Sequence, residues 1–381
     1  MDPIVVIGTG LAGFNLVKEL RKLDKETPVV MLTADDGRNY SKPMLSTGFT
    51  KDKGADDLAL ATPEQTAEAM NAQVRTGVTV TGIDADAHVV SLGEETLKYS
   101  KLVIASGADV FRPPLAGDGL GLVYSVNDLM DYGTFREALA GCKKVLVIGG
   151  GLIGCEFAND LSNGGFQVEL VEPMGRCLPT LLPEEASKAV GEGLADLGVT
   201  FHFGPVVKAV DKQGDGVVAT LSDDSQVEAD IVLSAVGLRP RVQLAQDAGL
   251  QCNRGIVVDR HLRTSNDDVF ALGDCAEVEG YVLPYVLPLM SSARALAKTL
   301  AGEPTEVTYG VMPVTIKTPA CPVVVCPPPH GSEGGWECEV DGRNVKALFK
   351  DETGQVLGYA LTGDAVSDKM KLNKEMPALL P

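Results

Sequence analysis

Two glycine-rich turns dominate the chemistry this sequence can do. Gly8, Gly10 and Gly13 fall in GTGLAG, and Gly149, Gly151 and Gly154 fall in GGGLIG. In a G-x-G-x-x-G turn the first glycine permits the tight bend. The second lets backbone approach a pyrophosphate, and the third lets the following helix pack against the strand. The peptides that open the helix belong to Thr9, Leu11 and Ala12 in the first copy and to Leu152 and Ile153 in the second. Their free N–H groups and the helix dipole favour an anion there.

Acids placed beyond these turns divide the ligands. Glu172 stands at the end of the second strand of the second unit, where a carboxylate bonds ribose hydroxyls and repels a 2′-phosphate. That site is expected to prefer NADH to NADPH, with Arg176 close enough to blur the choice. The matching position of the first unit is Thr33, followed by Asp35 and Asp36. Either acid could reach a ribose, Thr33 could bond it weakly, or both acids could be solvated. Further on, TSNDDVFALGDC delivers Gly273 and Asp274 from the end of an apolar strand. An acid there could hydrogen-bond a polyol, which FAD has and NAD lacks, or merely cap the next helix.

The elements that must hold these residues repeat. An apolar strand, a glycine turn, the amphipathic run LAGFNLVKELRKL and the strand PVVML give β-turn-α-β, and residues 145–171 give it again. Residues 5–20 and 146–161 share seven identities in sixteen positions, the mark of a duplicated domain. From about 305 the chain turns to Val/Thr/Pro runs, the loop PPPHGSEGG and the strand-like NVKALFK and VLGYALTG, a small β-rich domain. The expected fold is α/β with two Rossmann-like dinucleotide-binding domains and a small C-terminal α+β domain. The expected boundaries are 1–110 and 239–304 for the first nucleotide domain, 111–238 for the second and 305–381 for the last.

Composition closes off other classes. A net charge of −19 argues against a nucleic-acid partner. The start MDPIVVIG lacks a basic leader, and no apolar run approaches the roughly 20 residues of a membrane helix. The reading is a soluble, cytoplasmic protein, a monomer without membrane insertion. The eight cysteines are scattered with no CxxC or zinc spacing, so no metal site is expected and the thiols read as reduced and mostly buried. None of the four histidines has a catalytic setting.

The ordered motifs GTGLAG, LVIASGA, GGGLIGCE, LSAVGLRP and ALGDCAEV resemble those of two-dinucleotide-binding flavoprotein reductases. YSKPMLSTG and TIKTPACPV narrow the resemblance to rubredoxin–NAD reductases of the Pseudomonas type. It implies non-covalent FAD in the first domain, NADH as co-substrate in the second, and rubredoxin as the partner. Carried over by residue, Gly8, Gly10 and Gly13 match the FAD pyrophosphate loop. Lys42 and Pro43 match the segment beside the flavin ring, Asp274 matches the ribityl contact, and Ser106 and Gly107 lie in a motif of the FAD domain. Glu156 matches an acid near the nicotinamide, Gly237 lies in the motif closing the NAD domain, and Lys317 looks like a cation near the flavin pyrimidine edge, where it would stabilise negative density. Thr33 departs from the usual ribose contact.

Within this architecture the missing thiols select the reaction. Residues 34–60 contain no cysteine, and CPVVVC at 321–326 reads as a strand whose ends face opposite sides. Oxidase and peroxidase relatives carry a single cysteine where this chain has Ser46 and Thr47. Without a thiol relay, electrons must leave the flavin directly, singly, to a small iron protein. No side chain need act as general acid or base, so no catalytic residue is assigned. The alternative is a ferredoxin reductase of an oxygenase system; a non-catalytic redox sensor is a further reading. Rubredoxins are generally acidic, so docking on so acidic a chain requires a local basic patch, for which Lys42, Lys51 and Lys53 are candidates, or an apolar contact.

Overall fold

The computed structural model describes residues 2–381. Two five-stranded sheets, all parallel, share one strand order. In the first it runs Val269–Ala271, Lys101–Ile104, Ile4–Ile7, Val29–Leu32, Gln73–Arg75. In the second it runs Val123–Tyr124, Ile231–Ser234, Lys144–Ile148, Gln167–Glu172, Thr200–Phe203. The central strands IVVI and VLVI are buried on both faces, which explains their unbroken apolar runs. Each sheet carries an antiparallel three-stranded meander, Gly82–Asp84, Val89–Leu92 and Glu95–Lys98 in one and Val207–Gln213, Gly216–Leu221 and Gln226–Ala229 in the other. The duplication thus extends past the motif to the whole unit. Only the outermost strand differs in source: it comes from far downstream in the first sheet and from just upstream in the second.

The chain passes between the two units twice, and the passages pair with each other. Ala108–Val110 lies antiparallel to Leu238–Pro240. Gly107 (φ +70°) and Gly237 (φ +109°) enter this ribbon in a backbone region that L side chains avoid. The Arg239 guanidinium sits 4.3 Å from the centre of the Phe111 ring, locking the pair.

The last sheet is antiparallel in the order Val314–Ile316, Val323–Cys326, Val356–Thr362, Asn344–Lys350, Gly335–Asp341. One face, with Val323, Val325, Val345, Ala347 and Ala360, shares a core with the second nucleotide unit. The other, with Val324, Tyr359 and Leu361, packs on Leu372 of the helix Lys369–Glu375. Cys321 belongs to the first of these cores and Cys326 to the second, so the pair faces opposite ways as expected. The helix Val286–Leu300 begins inside the apolar run YVLPYVLPLM. Pro288 lies in its first turn, where the missing N–H would have had no helical partner.

Both phosphate-type loops close the same way. A Cβ on Gly8 would meet the Ala105 carbonyl oxygen at 2.2 Å, and one on Gly13 would meet the Gly8 oxygen at 2.0 Å. The second copy repeats this, Gly149 against Ala235 O at 2.7 Å and Gly154 against Gly149 O at 1.8 Å. At Gly10 and Gly151 a Cβ would meet no protein atom within 4 Å. The outer glycines are therefore required by the fold and the middle ones by what approaches the loop. Gly13→Ala and Gly154→Ala should each lose about 1–3 kcal/mol of stability, seen as a lowered unfolding midpoint. Gly10→Ala and Gly151→Ala should keep the wild-type midpoint when ligand-free and lose bound FAD and NADH affinity respectively. Equal destabilisation by all four would contradict this division.

Candidate functional site

The first loop ends in the helix Leu11–Leu23, with Gly10 as an N-cap that offers no side chain and no acid in the first turn. The second ends in Leu152–Asn163, with Gly151 in the same role and again no acid. The uncapped N–H groups of both helices are thus left for an anion. Beside the first loop, the structure separates the two candidate acids. Asp35 Oδ1 accepts the Thr33 hydroxyl at 2.6 Å and the Gly37 amide at 2.9 Å, with the buried Thr9 hydroxyl 3.4 Å away. Asp36 turns outward to Arg38 at 2.6 Å. Thr33 thus serves to orient Asp35 beside the loop.

In the second unit Glu172 is buried, and its carboxylate accepts the amides of Gly150 at 2.7 Å and Met174 at 2.8 Å. Two lone-pair positions remain for ligand hydroxyls. The Arg176 guanidinium turns away from Glu172, to the Pro179 carbonyl at 3.3 Å. Under this loop the scattered cysteines include one contact the sequence hid. Cys155 donates to the Gly150 carbonyl at 3.2 Å and is hydrogen-bonded to Cys177, which, with burial, holds its thiol well above the usual range.

Lys42 and Pro43 open a short 3-10 segment, Lys42–Thr47. Lys42 Nζ donates to Asn127 Oδ1 at 2.8 Å and lies 3.9 Å from Asp274 Oδ2. Asn127 in turn donates to the Ala108 carbonyl at 2.9 Å. Burial pulls the Lys42 ammonium below its usual range while Asp274 opposes it. Burial pushes the Asp274 carboxyl up while Lys42 opposes that. Gly273, at φ +79°, rests against Ala12, so Asp274 stands beside the first loop. Lys42 is therefore held inward, which removes it from the candidate docking lysines; Lys51 and Lys53 are exposed. Ser106 and Gly107 adjoin the ribbon, where the Ser106 hydroxyl donates to the Arg241 carbonyl at 3.1 Å and the Arg241 amide to the Gly107 carbonyl at 3.0 Å.

The sequence reading gave Glu156 to the nicotinamide site and Lys317 to the flavin edge without pairing them. The structure joins them. Glu156 Oε2 accepts Lys317 Nζ at 2.5 Å and the Ser46 hydroxyl at 2.6 Å, and Oε1 accepts the Lys317 amide at 2.9 Å. The Glu156 side chain is 1% exposed and that of Lys317 27%. Lys317 thus forms an ion pair with a buried carboxylate. Three and four positions further along the same helix, Asn159 Oδ1 accepts the Ala320 amide at 3.1 Å and Asp160 accepts the amides of Phe49 at 2.9 Å and Thr50 at 2.8 Å. Positions 156, 159 and 160 lie on one side of the helix by their spacing, and all three are buried. Asn127, Asn159 and Asp160 escaped the sequence reading, and Ser46 entered it only as the residue standing where relatives carry a cysteine. Polar residues at i, i+3 and i+4 in a helix buried nearly all round were the available signal.

Around this junction lies a cleft of about 340 Å³, walled by Ser46, Thr47, Thr50 and Lys51, by Asn159 and Asp160, and by the segment from Ile316 to Pro322. Among the described residues no cluster of three or more His, Cys, Asp or Glu could hold a metal ion, and no helix is long and apolar enough to cross a membrane.

Comparison with known proteins agrees with this geometry. The model of the pyridine nucleotide-disulphide oxidoreductase family matches residues 2–298, and that of the rubredoxin binding C-terminal domain matches residues 306–376. The chain is 70% identical over 382 residues to a rubredoxin-NAD(+) reductase of Alcanivorax borkumensis, covering 100% of both. It is 43% identical to that of Acinetobacter baylyi, covering 100% of this chain and 99% of the relative. In fold it matches a ferredoxin reductase from Rhodopseudomonas palustris with a TM-score of 0.89 at 24% identity, over 99% of this chain and 96% of that one. Paired glycine loops, a cysteine-free flavin segment and full-length similarity converge: the chain belongs to the pyridine nucleotide-disulphide oxidoreductase family, and within it to the rubredoxin–NAD reductases.

Proposed function

We propose that this protein is an FAD-dependent NADH:rubredoxin reductase. The observation that carries the reading is what replaces a redox thiol. Ser46 stands in the segment Lys42–Thr47, its hydroxyl tied to Glu156, and the terminal domain that packs against it matches a rubredoxin binding domain. When bound, FAD supplies the conversion of a two-electron donor into single-electron delivery. The chain supplies the rest. The first loop, Thr9, Asp35 and Asp274 would hold FAD, with Lys42 and Pro43 beside the ring and Asn127 fixing Lys42. The middle glycine of that loop leaves the space a pyrophosphate needs. Leu152, Ile153 and the second loop would hold the NADH pyrophosphate, and Glu172, already oriented by two amides, the adenosine ribose. Gly237 and Ser106 shape the ribbon that sets one nucleotide unit against the other. We place the protein in the cytoplasm, as a monomer, feeding rubredoxin-dependent alkane hydroxylation or oxygen and peroxide detoxification.

Two measurements test this. Under anaerobic conditions NADH should reduce rubredoxin at least about tenfold faster, by kcat/KM, than a [2Fe–2S] ferredoxin; the opposite order would move the protein to the oxygenase-type ferredoxin reductases. Replacing Glu172 by Gln should cut the NADH over NADPH preference by about tenfold, worth roughly 1.4 kcal/mol, read from kcat/KM with each nucleotide. An unchanged ratio would remove Glu172 from the ribose site.

A further inference from the structure

If NADH reduces rubredoxin here, the reaction leaves one proton over: NADH and two ferric rubredoxins give NAD⁺, two ferrous rubredoxins and H⁺. The inference below rests on that reading. The proton must cross from a buried site to water, and the structure offers a short polar route. Glu156 is a carboxylate with 1% of its side chain exposed, and its side-chain partners are Ser46 and Lys317. Both partners line the cleft of about 340 Å³. The Lys317 ammonium is a donor without an acceptor site, so it cannot take a proton from Glu156. A serine hydroxyl is donor and acceptor at once. Ser46 is buried on the Glu156 side and lines the cleft on the other, a partition one hydroxyl thick. The neighbouring groups are otherwise committed. The Thr47 hydroxyl donates to the Met44 carbonyl at 2.9 Å, and both Asp160 oxygens accept backbone amides.

We propose that Glu156 takes up the proton released in turnover and that Ser46 passes it to water in the cleft. Once Glu156 is protonated, the Ser46 hydroxyl turns from Oε2 to a cleft water; the carboxyl then donates to Ser46 Oγ as the serine's own proton moves to that water, and the proton received from Glu156 re-forms the bond to Oε2. The proton is the hydrogen that NADH gives up as hydride, left behind when its two electrons pass to two rubredoxins; past Glu156 only O–H bonds break and form, and no oxidant or reductant is needed beyond NADH and rubredoxin. Ser46 thus acts through Glu156.

The test is stopped-flow mixing of NADH-reduced enzyme with rubredoxin in weak buffer, following metal reduction and a pH indicator in the same shot. In the natural protein the two traces should coincide. In Ser46→Ala proton release should lag by about tenfold or more, within the range of a lost proton-transfer group, and the solvent deuterium effect on that phase should rise. Ser46→Thr keeps the hydroxyl and should bring the traces back together. In the resting protein, protonation of Glu156 after a drop in pH, followed by its infrared carboxyl band, should slow in Ser46→Ala by the same factor. Coincident traces in Ser46→Ala, or a lag equally long in Ser46→Thr, would overturn the relay. Ferricyanide as a second one-electron acceptor separates the two readings. Failure to reduce rubredoxin while ferricyanide is reduced would sink the proposed partner, and the proton trace would still decide the role of Ser46.

Discussion

The arrangement depends on a carboxylate that water does not reach. Glu156 would be costly to bury alone, and one lysine, one serine and one amide compensate it. These groups come from three places in the chain: the segment after the first nucleotide unit's β-turn-α-β, the helix of the second, and the terminal domain. A buried ion pair is weak evidence for net stability, yet removing one partner costs about 3–5 kcal/mol because the other charge is stranded. The consequence is registry. The same helix takes up the backbone of residues 49–50 through Asp160 and of residue 320 through Asn159, so three polar side chains on one face fix where the other two bodies sit.

Around that junction, duplication does the rest. Two sheets with one strand order place two glycine loops at the carboxyl ends of their central strands, and each loop excludes side chains at its outer glycines by its own backbone. What differs is the acid beyond the loop. Glu172 binds two amides directly over its loop, whereas Asp35 is positioned through Thr33 and Gly37. A family whose name carries a disulphide is represented here by a chain that keeps both nucleotide units and has a serine hydroxyl, and no thiol, in the segment Lys42–Thr47.

Much of this was legible in the sequence because it is local. Glycine spacing, unbroken apolar strands and the helix LAGFNLVKELRKL obey short-range rules, and the first helix spans those thirteen residues. The absence of cysteine from residues 34–60 was equally plain. What the sequence concealed was pairing between distant positions. Nothing local marks Lys317, in KTP, as the partner of a glutamate 161 positions earlier, nor Asn127 as the hand that holds Lys42. Thr33, read as a departure from the usual contact, turns out to be the support of Asp35, a relation two residues long but dependent on a loop conformation.

The source of the first sheet's outermost strand sets an order of events during synthesis. Val269–Ala271 pairs with Lys101–Ile104, so that sheet lacks an edge until the ribosome has passed the whole second unit. The second sheet draws all its strands from residues 123–234 and is complete earlier. Domains fold as units while the chain emerges. The nested unit therefore closes first, and the N-terminal half waits for it with an open strand edge. Asp274, three residues past that late strand, arrives last of the residues around the first loop, so the surroundings of that loop are complete only after the second unit has emerged.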